Sequence, residues 1–192
     1  MPTPMNAAPF AIDQAHYLVV DLEATCCDRG TIPRAQNEII EIGAVMLCAA
    51  SVRMVGEFGC FVRPVRHPHL TTFCTELTSI TQEQVNEAPL YPEAMQSFRE
   101  WMYPFGSFMF SSWGDYDRKQ FEWDCEFHGV SWPFPSGHLN LKAAFSMATG
   151  RKKMGMTQAL EHLGLSLEGT HHRGLDDARN IAKIVQAVLR QP

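Results

Sequence analysis

The apolar positions of this chain follow two periods, and each predicts a layer of the fold. Tyr17, Leu18, Val19 and Val20 run together without a polar break, as a buried strand of a mixed or parallel sheet requires. Residues 38–48 (EIIEIGAVMLC) and 54–62 (MVGEFGCFV) read as two more strands, and the short link between them makes an antiparallel hairpin. A further strand is predicted over 106–112 (GSFMFSS). Elsewhere the spacing is helical. Tyr91, Met95, Phe98 and Met102 form one apolar face of a helix laid on the sheet. Thr81 with Gln84 is a capping-box signature for a short helix that Pro89 ends. Helices are also predicted over 139–148, ended by Gly150, and over 157–163 behind a Ser/Thr-type cap. The segments 63–70 and 130–138 each carry two prolines and read as loops. Residues 1–15, rich in Ala and Pro at their start, read as a flexible N-terminal tail, and 16–192 as a single domain.

Carboxylates interrupt this pattern in three places. Asp21 and Glu23 follow the first apolar run, and strand alternation points them to the same side. In the helix expected after WGDYD, Asp117 shares a face with Phe121, Asp124, Cys125 and His128, whereas Asp115 belongs to a polar face. His128, next to Gly129, reads as a helix C-terminal residue. In the last helix, Ile181, Ile184, Val185 and Val188 form the apolar stripe. Counting back from Ile181 reaches Asp177, while Asp176 lines up with Asn180, Lys183 and Ala187 on a mostly polar face. Glu41 reads as an exposed strand residue, with a polar partner of the site as its alternative.

Four acids placed on buried sides, without matching Lys or Arg, suggest two divalent cations. Paired metals suit phosphoryl hydrolysis, and carboxylate oxygens suit Mg²⁺, with Mn²⁺ as a substitute. A base for the attacking water is then required. His172 stands in the loop five residues before Asp177 and fits that task. His171 stands at the same interval from Asp176 and reads as solvent-facing.

Composition narrows the partners. A formal net charge of −5 argues against a broad, sequence-blind grip on nucleic acid, but not against a small site for one strand end. Arg151-Lys152-Lys153 is the densest basic run; it reads equally as a solvated turn or as a phosphate contact. Six cysteines without a Cys-x-x-Cys pair fit reduced thiols in the cytoplasm. No signal peptide and no membrane span is expected.

DLEAT, WGDYD and HHRGLDDARNIAKI together resemble the three motifs of the DEDDh, DnaQ-like 3′→5′ exonuclease superfamily, and FCTELTSITQEQV resembles the segment that packs on its terminal nucleotide. The wording is most similar to the group of the histone-mRNA 3′-exonuclease and the KapD-like proteins. The resemblance runs from about Tyr17 to Leu189. It implies an α/β, RNase H-like fold: a mixed five-stranded sheet with an antiparallel hairpin and helices on both faces. It implies Asp21, Glu23, Asp117 and Asp177 as metal ligands and His172 as general base. From the same match, Ala24, Phe73, Leu77, Thr78 and Tyr116 would line the pocket of the 3′ nucleotide. The expected activity is release of nucleoside 5′-monophosphates from single-stranded RNA or DNA 3′ ends. The additional small nucleic-acid-binding domain of the histone-mRNA enzymes does not fit this length. The alternatives are a non-catalytic regulatory module on the same fold, or a proofreading subunit acting with a DNA polymerase.

Overall fold

A computed structural model of the chain describes residues 5–28, 30 and 32–190. The first four residues of the expected tail, Arg29 and Thr31 of the loop after DLEAT, and the last two residues of the expected domain lie outside the described residues. Strands β1 (His16–Ala24), β2 (Ile39–Cys48), β3 (Arg53–Phe61), β4 (Phe108–Ser112) and β5 (His138–Asn140) form one sheet in the order β3-β2-β1-β4-β5. β1 is antiparallel to β2 and parallel to β4, and β4 is parallel to β5. This is the mixed five-stranded sheet expected from the sequence.

Alternation along β1 sorts the core into two layers. Tyr17 and Val19 face helices α5 (Leu141–Thr149), α6 (Met156–His162) and α7 (Gly174–Leu189). Leu18, Val20 and Leu22 face α3 (Tyr91–Met102) and α4 (Tyr116–His128). The predicted stripe of α3 is buried throughout: Tyr91, Met95, Phe98 and Met102 all lie in this second layer. Among the described residues, no helix is long and apolar enough to cross a membrane.

Several expectations need correction. The tail is anchored over its described part: Phe10 is fully buried against α5, and the Tyr17 hydroxyl donates to its carbonyl at 2.7 Å. One aromatic among alanines and prolines was enough to dock it. Residues 138–140, read as the junction of a loop and a helix, form β5, a strand too short to show a period. A helix α1 (Thr72–Thr78) precedes the expected α2 (Gln82–Glu87); the Thr71 side chain accepts from the Cys74 amide to cap it. α6 starts after Gly155, not behind Thr157, with the Gly155 amide donating to the Gln158 side chain. Asn180, placed on the polar face of α7, is fully buried. Its amide group bonds the backbone of Glu168 and Asp176, so the polar side chain is satisfied inside.

One close approach sets the position of α7. Gly43 on β2 and Gly174 at the start of α7 meet backbone to backbone, and a Cβ on Gly43 would lie 1.9 Å from the Gly174 carbonyl carbon. Gly43 is also the ladder partner of Asp21. Only glycine permits the first turn of α7 to rest on the sheet beside that residue. Gly43→Ala should therefore lift α7 and destabilise the fold by roughly 2–4 kcal/mol. Denaturant unfolding measures this, and a change below about 0.5 kcal/mol would show that the contact yields without cost.

Candidate active site

β1 ends inside the molecule, and its last residues form one wall of a cleft of about 400 Å³. Asp21 and Glu23 lie within the strand rather than beyond its end, on the face that meets α7. Asp117 enters from the first turn of α4, and Asp177 from the first turn of α7. All four acids line the cleft. Glu23, Asp117 and Asp177 are buried, and Asp21 keeps some exposure to the cleft. Oxygens of Asp21, Glu23 and Asp177 lie within 4.8 Å of one another. Asp117 is held by the Leu22 amide, which donates to its Oδ1 at 3.1 Å and so ties α4 to β1.

Burial and mutual repulsion raise the proton affinity of the whole set. Burial pushes Asp21 well above the usual carboxylate range, with further pressure from Asp117, Glu23 and Asp177. Glu23 is pushed up to about 8, first by burial and then by Asp177 and Glu41. Asp117 rises to about 6 through burial, offset by the Leu22 amide and by Lys142. Burial also raises Asp177, against the opposing bond from the His172 amide. Clustered, partly desolvated oxygen donors of this kind fit hard divalent cations, which would neutralise them.

The loop before α7 brings in two imidazoles. His172 adopts a left-handed backbone, φ 63°, and its amide donates to Asp177 Oδ2 at 2.9 Å. Such a conformation in a non-glycine residue is held by its surroundings. His171, expected to face solvent beside Asp176, instead places Nδ1 2.9 Å from Asp177 Oδ2. The reason is that the turn at His172 redirects the chain, so counting helical intervals back from Asp176 does not apply there. The rings of His171 and His172 stack with centroids 3.9 Å apart. Burial, then His171, lowers the pKa of His172 below the ordinary histidine value, which favours the neutral ring.

Glu41 proves buried rather than exposed. Its carboxylate takes Nε and Nη2 of Arg173 at 3.1 and 3.2 Å, and the Gly174 amide at 2.9 Å. This pair clamps the two residues that follow His172 onto β2.

The expected nucleotide-pocket residues divide. Ala24, Leu77 and Tyr116 line the cleft. Thr78 does not: it is fully buried, donating to the Cys74 carbonyl and accepting from the Ile80 amide. Its hydroxyl closes the end of α1. Phe73 is partly exposed on α1 and is not part of the cleft wall. Sequence reasoning missed Trp113, Lys142, Met156 and Thr157, which also line it. Trp113 stood in the quoted WGDYD segment; Lys142 carried no signal beyond its place after Asn140, the cap of α5.

The family model described as Exonuclease (RNase_T) matches residues 18–185. The chain belongs to the exonuclease family. It is 35% identical over 190 residues to ERI1 exoribonuclease 3 of Mus musculus, covering 94% of this chain and 56% of that protein. It is 32% identical over 198 residues to ERI1 exoribonuclease 2 of the same organism, covering 92% and 29%. The chain therefore spans between about a third and about half of the length of these curated relatives. Among solved structures, the nuclease domain of 3′hExo, a DEDDh family member bound to rAMP, superposes with a TM-score of 0.86 at 29% identity, covering 93% of each chain. The resemblance read from the motifs is thus upheld, as is the RNase H-like fold.

The repulsion within the carboxylate set has a measurable sign. A carboxyl whose pKa is raised in the folded state contributes stability below its unfolded pKa and loses it as pH rises through the folded value. For Glu23 that window runs from 4.5 to about 8. In chelator, the melting temperature should fall by several degrees between about pH 5 and 8, and Mn²⁺ should abolish the fall. A metal-free protein equally stable across that range, by calorimetry, would contradict the electrostatic account.

Proposed function

We propose that this chain is a 3′→5′ exonuclease that removes nucleoside 5′-monophosphates from RNA ends. The observation that carries the reading is the convergence of Asp21, Glu23, Asp117 and Asp177 on one open cleft in a chain of the exonuclease family. RNA is preferred over DNA as the substrate because the relatives named above are exoribonucleases and the superposed nuclease domain was bound to rAMP.

Asp21, Glu23, Asp117 and Asp177 would hold two divalent cations, Mg²⁺ or in its place Mn²⁺. Cations held there would supply Lewis acidity to the attacking water and offset charge on the phosphodiester. His172 takes the proton of the attacking water at a ring nitrogen, a role that the downward shift of its pKa by burial favours. Asp177 accepts the His172 amide and so fixes the turn that presents the ring. The Glu41–Arg173 pair holds the same turn from the other side. Ala24 and Leu77 offer an apolar wall to the terminal base, with the Tyr116 ring beside them. The Tyr116 hydroxyl donates to Gln120, which in turn donates to the Asn37 carbonyl and to Asp124. That chain keeps the ring from swinging away.

With 5′-labelled single-stranded RNA and either metal, a ladder shortening from the 3′ end is expected, and excess chelator should abolish it. His172→Asn, which tolerates the left-handed backbone, should slow turnover by about 10²–10⁴-fold without loss of fold. A near-normal rate in that variant removes His172 from the mechanism. Cleavage that persists in excess chelator removes the metals.

A further inference from the structure

After α5 the chain turns at Gly150 and passes through Arg151, Lys152 and Lys153, all exposed. Among the described residues no carboxylate pairs with any of the three. With Met154, Gln158, Glu161 and His162 they line an open groove of about 570 Å³, in which three cations face one carboxylate. The very next residues, Gly155, Met156 and Thr157, line the carboxylate cleft. One continuous segment is therefore the wall of both depressions. It is fixed to the cleft by Trp113, whose Nε1 donates to the Met154 carbonyl at 3.1 Å. From Lys153 to Met156 the backbone spans at most about 10 Å, so the cationic groove opens within one or two nucleotides of the cleft. Lys142, one helix earlier, adds a cation to the lining of the cleft itself.

The rest of the molecule makes this placement informative. The net charge is −5, so three adjacent unpaired cations are not part of a generally basic surface. A turn that served only solubility has no reason to share a wall with the site. A strand whose terminal nucleotide sits among the carboxylates must leave the cleft somewhere, and its phosphates need cations to replace their counterions.

We propose that the Arg151–Lys153 groove holds the backbone phosphates of the substrate strand on the 5′ side of the terminal nucleotide. The inference rests on the exonuclease reading of the cleft and adds to it the path of the strand. Long cationic side chains on an exposed turn position a backbone and read no bases, so the grip is independent of sequence. It gives a dependence on strand length that the carboxylate cleft alone would lack.

The test uses the full chain and the triple variant R151A/K152A/K153A. Binding of a 5′-fluorescein-labelled, eight-nucleotide RNA with a methylphosphonate 3′-terminal linkage is followed by anisotropy across a salt series. Hydrolysis of a dinucleotide is measured beside it. The variant should bind the eight-nucleotide strand about tenfold more weakly, and its log–log salt slope should shrink by about 2, at about 0.7 per lost phosphate contact. Its kcat/KM on the dinucleotide should stay at the wild-type value. Unchanged affinity and slope overturn the proposal. So does an equal loss on both lengths, which would mean damage to the cleft. If the wild type hydrolyses neither substrate while strand binding still responds to the substitutions, the exonuclease reading fails and the groove stands.

Discussion

The structure depends on the seating of the first turn of α7 on the sheet at Gly43. Without side chains at Gly43 and Gly174, that turn touches the backbone of β2 next to Asp21. Asp177 follows three residues later and so falls beside Asp21 and Glu23. The same contact fixes where the preceding loop must end. His172 enters α7 through a left-handed turn that its amide bond to Asp177 holds in place. One steric condition thus places a carboxylate and an imidazole together.

That arrangement is electrostatically costly in the absence of cations. Four acids repel one another, and burial raises their pKa values further. The fold offsets this in part with amide donors, alongside Lys142 near Asp117 and His171 against Asp177. Leu22 donates to Asp117, and His172 to Asp177. The bidentate ion pair of Glu41 with Arg173 holds the His172 loop and engages none of the four acids. A set kept in this state is ready for divalent cations. It is the kind of local strain that a fold tolerates where a site requires it.

Much of this was legible in the sequence, for reasons that vary with the element. α3 and α7 announce themselves because each buries one face and exposes another, which leaves a period, whereas β1 and β2 are buried on both faces and show as continuous apolar runs. Asp117 and Asp177 were placed on inward faces by the same counting. β5 left no trace because three residues hold no period. Glu41 was misread because an acid on a strand is ordinarily exposed, and its partner Arg173 lies far along the chain. His171 was misplaced because helical counting was carried past the end of α7 into a turn. Thr78 was assigned to the pocket from motif likeness, while its hydroxyl is consumed by the backbone of its own helix. Local pattern shows which side of an element is inward; it does not show what two distant segments will share.

The central claim is that the four carboxylates form a divalent-cation site. Calorimetric titration with Mn²⁺ tests it most directly, on the wild type and on Asp21→Asn. Two cations per wild-type chain, with the binding of at least one lost in the variant, is the predicted result. No Mn²⁺ binding by folded wild-type protein, or binding unchanged by the substitution, would contradict the account.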